Sequence, residues 1–168
     1  YGNDVGTHFN CWVQHMAPDG NLSMAPNGVV VSPNQAQNHM YPAIAFLPET
    51  DEIIAFFSEQ DLNQNMRGLY AQKFDMQGNL QWTDNGLELI ALSDNDYSLP
   101  QAGGFADKAV CIYGAYEFGN VVDEKVQAVM LDSDGEFVWE DEFIDMSTVQ
   151  SSKMHREMSQ LNSGQWVA

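Results

Sequence analysis

Asp132-Ser133-Asp134-Gly135-Glu136 is the stretch of this sequence whose residue types come closest to a metal site. Calcium takes several oxygen ligands, and an Asp-x-Asp-Gly turn places carboxylates on a sharp bend. Asp132, Asp134 and Glu136 are therefore the candidate calcium ligands, and calcium is the one cofactor the sequence offers. The rest of a twelve-residue calcium loop is missing. The corresponding stretches Ala17-Pro18-Asp19-Gly20 and Asp75-Met76-Gln77-Gly78 keep the glycine and lose most of the acids. A plain hairpin turn is the favoured reading. Asp94, Asp96 and the pair Asp123-Glu124 read as further loop acids that could hold a cation between blades.

No other group of residues spells out a reaction. His8, His15, His39 and His155 show neither HxxxH nor HExxH spacing, so no zinc site is read from them. GxSxG, a Cys–His pairing and a phosphate-binding loop are all missing. Acids are so abundant that a glycosidase pair is always imaginable, which deprives that guess of value. No catalytic residue is assigned. Trp12 and Trp166 fall at positions whose counterparts vary in type, and they are the candidate ligand-binding aromatics, suited to stacking on a sugar or anchoring a protein. Cys11 and Cys111 occupy packing positions and read as buried thiols.

What must position these residues is a repeat. Three stretches align without gaps, from Cys11, Leu69 and Val126, and Gly20, Gly78 and Gly135 recur 58 and 57 residues apart. Met16, Phe74 and Leu131 keep that register, as do Met24, Trp82 and Trp139. Asn27-Gly28 matches Asn85-Gly86, while the third copy reads Glu142-Phe143. A second block recurs more loosely, with DEIIAFF from Asp51 against DKAVCIY from Asp107 and Pro42 against Pro100. Each unit reads as strands between turns: a DG or QGN hairpin, an alternating strand around Glu88 or Asp145, a continuously apolar strand, and a short fourth strand at the proline. Four strands in about 57 residues predict an all-β fold of β-propeller-like blades, with a β-sandwich or β-solenoid of repeated hairpins as the alternative. The expected divisions are 1–36 as the C-terminal half of a blade, 37–94 and 95–150 as whole blades, and 151–168 as the N-terminal half of another. This phase marks the chain as one repeat region, expected to be a piece of a longer polypeptide or a module whose half-blades complete each other in a homo-oligomer.

Charge narrows the partners. Asp and Glu number 24 against 6 Lys and Arg, a formal charge of −18, and no Lys or Arg precedes Arg67. Nucleic acid and anionic membrane both require cations on the protein surface, so neither is an expected partner. No apolar run approaches the length of a membrane-spanning helix.

The pattern Tyr70-Ala71-Gln72-Lys73-Phe74-Asp75, Gly78-Asn79-Leu80, Trp82, Asn85-Gly86 resembles the repeat of large extracellular bacterial proteins exported by the type IX secretion route. The likeness is strongest over 69–93, fair over 11–32 and weak over 126–147, and no sorting domain is present in this sequence. It implies secretion or cell-surface display, propeller-like units, and a scaffold or binding role without catalysis, toward a protein or glycan. A carbohydrate-active hydrolase or a calcium-stabilised adhesin, using loop acids on one propeller face, is the alternative.

Overall fold

The computed structural model describes residues 2–4, 8–117, 119–149, 151–153, 156–160 and 165–168. The protein is all-β: among the described residues the one helical element is a 3₁₀ turn at Val121–Asp123. Two four-stranded antiparallel sheets form its centre. The first runs β5 (Gln37–Leu47), β6 (Glu52–Asp61), β7 (Arg67–Asp75) and β8 (Leu87–Ser93) in sequence order. The second repeats that order with β9 (Asn95–Phe105), β10 (Lys108–Glu117), β11 (Lys125–Asp132) and β12 (Phe143–Ser147). Smaller pairs flank them: β1 (Gly2–Asp4) with β2 (His8–Asn10), β3 (Trp12–Val13) with β4 (Val29–Val30), and β13 (Ser159–Gln160) with β14 (Trp166–Val167). Among the described residues no sheet closes on itself.

Strand alternation turns these sheets into layers. In β6, Ile54 and Phe56 point one way, into a core shared with Leu69, Ala71 and Leu89 of the first sheet and Ala109, Cys111, Tyr113, Val129 and Leu131 of the second. Ile53, Ala55 and Phe57 point the other way and pack with Tyr70 and Phe74 against Cys11, Val13, Met24 and Val31. The first sheet is therefore covered on both faces, which is why Ile53–Gln60 of β6 is buried throughout. Each large apolar side chain so enclosed contributes roughly 1.5–3 kcal/mol. The two cysteines lie on opposite sides of the first sheet, and both thiols are free.

The three stretches that align in sequence fold alike. Antiparallel bridges join Met16 to Leu22, Phe74 to Leu80 and Leu131 to Phe137. Gly20, Gly78 and Gly135 close these turns with φ of 86°, 88° and 90°, a backbone that a side chain resists. The hairpin register also recurs, pairing Val13 with Val29, Ala71 with Leu87 and Ala128 with Ile144. In the third stretch, where Phe143 replaces the turn glycine, the same register holds with Val129 opposite Phe143.

The proline segments differ from expectation. Pro42 and Pro100 sit inside 11-residue strands, β5 and β9, not in short weak ones. Both strands are sheet edges, and the ladder skips a register at each proline. Tyr41 and Leu99, the preceding residues, take φ of 54° and 48°. A proline has no N–H to give the ladder, and the bulge lets the strand continue past it.

Candidate functional site

Layer-to-layer contact is what places every candidate side chain. Gly104 of β9 shows how close the contact is, because a Cβ there would run into the backbone of Phe46 in β5. Its neighbour Gly103 has the indole of Trp166 lying directly on it, where a Cβ would strike the ring. Trp166 is thus held against the outer face of the second sheet, the face opposite the shared core. It walls an apolar cavity of about 560 Å³ with Val110, Ile112, Trp139, Ile144, Met146 and Met158. Among the described residues, Gln165 and the two indole N–H groups are the polar side-chain functions on its lining, with no side-chain carboxylate, thiol or hydroxyl. Such a wall excludes water and suits apolar or aromatic groups.

Trp12 lies elsewhere. Cys11 and Val13 turn into the first sheet, so Trp12 points outward from the β3–β4 pair and is exposed. Two sheets separate it from Trp166, and the two candidate aromatics do not share a site. Trp82 packs into the shared core, as its position predicts, whereas Trp139, its counterpart, looks into the cavity.

The acidic turn has a structural occupation. Asp132 Oδ1 accepts the backbone N–H of Asp134 at 2.9 Å and of Glu136 at 3.0 Å. Asp75 does the same for Gln77 and Asn79, and Asp19 for Asn21. Asp134 and Glu136 point to solvent. Among the described residues no three His, Cys, Asp or Glu side chains gather as a metal would require.

A polar hollow of about 380 Å³ opens on the second sheet near the 3₁₀ turn, bordered by Tyr97, Tyr116, Glu117, Asp123 and Lys125. Asp123 Oδ2 accepts the side-chain amide of Asn120 at 2.8 Å. Both acids are exposed. The thiols are unreactive by comparison: burial pushes Cys11 up to about 12 and raises Cys111 as well.

Sequence reasoning missed a set of polar links between layers. Phe9 N donates to Asn38 Oδ1 at 2.9 Å, joining β2 to the first sheet. Arg67 Nη1 meets Asp96 Oδ2 at 3.1 Å, joining the first sheet to the second. Lys153 N donates to Glu124 Oε2 at 2.7 Å, and its ammonium to the Glu124 carbonyl at 2.5 Å, joining the second sheet to the segment that follows. The donors and acceptors stand at 9, 67 and 124 on one side and at 38, 96 and 153 on the other, spaced by 58 and 57 residues in both series. The signal was present in the spacing but hidden by chemistry, since the charges invert from Arg67–Asp96 to Glu124–Lys153. Arg156 adds a guanidinium to Glu124 in the room that Gly114 leaves, and donates to the Ser98 carbonyl at 3.4 Å.

No protein-family model matches the chain, and no curated protein matches it significantly.

Proposed function

We propose that this chain is a β-propeller-like repeat module, secreted or displayed at the cell surface, that acts as a scaffold and binds protein or glycan without catalysing a reaction. One observation carries the reading: a single layer interface is built twice from residues in register, Cys11–Val13–Met24 onto Ala55 and Phe74, then Leu69–Ala71–Trp82 onto Cys111 and Leu131. Chains that multiply one interface gain extended surface of the kind used for binding. The apolar cavity beside Trp166 supports binding in preference to chemistry. Acids directed to solvent, such as Glu88 and Asp145, suit a protein kept soluble outside the cell.

A second reading is a carbohydrate-active hydrolase centred on the polar hollow, favoured by the two carboxylates Glu117 and Asp123 that border it. One experiment with two arms separates them. Proteolytic shaving of intact source cells is expected to remove the protein, and reducing-end assays on a polysaccharide panel are expected to stay silent. Protection until lysis sinks surface display. Turnover that vanishes in Glu117→Gln replaces the scaffold with the hydrolase.

A further inference from the structure

Two outer faces of the molecule carry the two halves of the interface that already joins its layers. On the giving side, Met24 and Val29 lie against the turn at Gly78, and Trp82 and Leu87 lie against the turn at Gly135. On the receiving side, Phe74 and Leu131 beside those turns are fully buried. Continued by one period in each direction, the pattern reaches residues left uncovered. Trp139, Ile144 and Met146 on the second sheet are givers that meet no turn among the described residues, and Met146 is 46% exposed where its counterpart Leu89 is 8%. Trp12, Met16 and Leu22 beside the Gly20 turn are receivers that meet no giver among the described residues, and Met16 is 67% exposed where Phe74 and Leu131 are 0%. A Cβ on Gly20 would meet nothing, so the turn stands in open space.

We infer that the chain associates head to tail with a second copy of itself: the outer face of the β3–β4 pair in one copy seats on the outer face of β11–β12 in the next. The occupant follows from continuity with the two internal interfaces, which join the same kinds of residue in the same register. Coverage leaves the right space as well. In the second sheet, β13–β14 lies over β9, where Trp166 meets Gly103, and Ile144 and Met146 of β12 stay exposed. In the first sheet, β3–β4 leaves a hollow of about 280 Å³ walled by Met16, Ile44, Phe46 and Ile53, where a neighbour's β13–β14 pair fits. Two partial layers, one from each copy, thereby make one full layer. The contact is heterologous, so it propagates to a closed ring or an open filament according to the rotation per copy. This inference rests on the layered reading of the fold and is independent of secretion, so its failure leaves surface display untouched.

Sedimentation equilibrium of the whole chain, from about 1 µM to about 100 µM, tests it with two single variants. Wild type is expected to grow in mass with concentration, as a discrete ring or an open series. Met16→Glu removes the receiving face and Met146→Glu the giving face, and each is expected to weaken association at least about tenfold. Both positions are exposed, and unchanged circular dichroism and melting temperature verify folding. The decisive sample is the equimolar mixture, which has one intact giving face and one intact receiving face and is expected to form a dimer and nothing larger. A monomeric wild type overturns the proposal. So does a mixture that stays monomeric, because a two-fold contact between like faces gives no such rescue.

Discussion

The carboxylate of Asp75 accepts the side-chain amide of Asn79 at 2.7 Å and the N–H groups of Gln77 and Asn79 at 2.9 Å each. The amide of Asn79 first, and the backbone donors after it, hold this carboxyl below its ordinary value of 3.8. A group depressed in the folded state adds stability above its unfolded pKa, and that stability is lost as pH falls through the lower folded value. Acidification from about pH 5 to about pH 3 is therefore expected to lower the urea midpoint less in Asp75→Asn than in wild type. Comparing the two chains cancels the general effect of discharging other acids, and equal losses in both would show that the turn owes nothing to the charge. The same geometry explains why the acidic stretch at Asp132 reads like a cation site in sequence. An Asx turn and a calcium loop ask for the same residues, Asp before Gly, and only the direction of the oxygens tells them apart.

At the scale of elements, layers are fastened by apolar faces and by polar links at each junction. Arg67 and Asp96 are both about nine-tenths buried, and Asp96 also accepts the Tyr116 hydroxyl at 2.9 Å. Reversing one member leaves like charges in a poorly hydrated site, so Arg67→Glu is expected to cost roughly 3 kcal/mol. Adding Asp96→Lys restores opposite charges with the signs exchanged and is expected to recover more than half of that loss in denaturant melts. A double variant as unstable as the single would mean that this link has no interchangeable polarity. These junctions also show how much was legible in advance. The strands, turns and register followed from glycine spacing and alternating apolar residues, because those obey local rules. The β6 run from Ile53 to Gln60 also declared itself as covered on both faces. The length of β5 and β9 did not, since it depends on Tyr41 and Leu99 adopting a left-handed backbone that lets an edge strand pass a proline. The separation of Trp12 from Trp166 was equally hidden: sequence types both as variable aromatics, while the stacking order puts two sheets between them.

Across the whole molecule, 24 acids against 6 bases set a field that opposes contact between copies. The docking faces are flanked by that charge. Glu140, Asp141 and Glu142, all exposed, lie between Trp139 and Ile144 on the giving side, and Asp19 stands in the Gly20 turn on the receiving side. Seating one face on the other brings these acids together, so apolar burial must outweigh a repulsion that salt screens. The screening length falls from about 30 Å at 0.01 M salt to about 10 Å at 0.1 M, which spans the distance over which the two acidic groups interact. Head-to-tail association is therefore expected to tighten as sodium chloride rises over that range, the reverse of a contact built on salt bridges. Replacing Glu140, Asp141 and Glu142 by Gln, Asn and Gln removes three charges beside the face and no apolar contact. The triple variant is expected to associate more tightly than wild type at low salt and to respond less to added salt, measured by sedimentation at matched concentrations. Weaker association in the triple variant would mean that the acids make contacts across the junction, and the giving face would then have to be placed elsewhere on the second sheet.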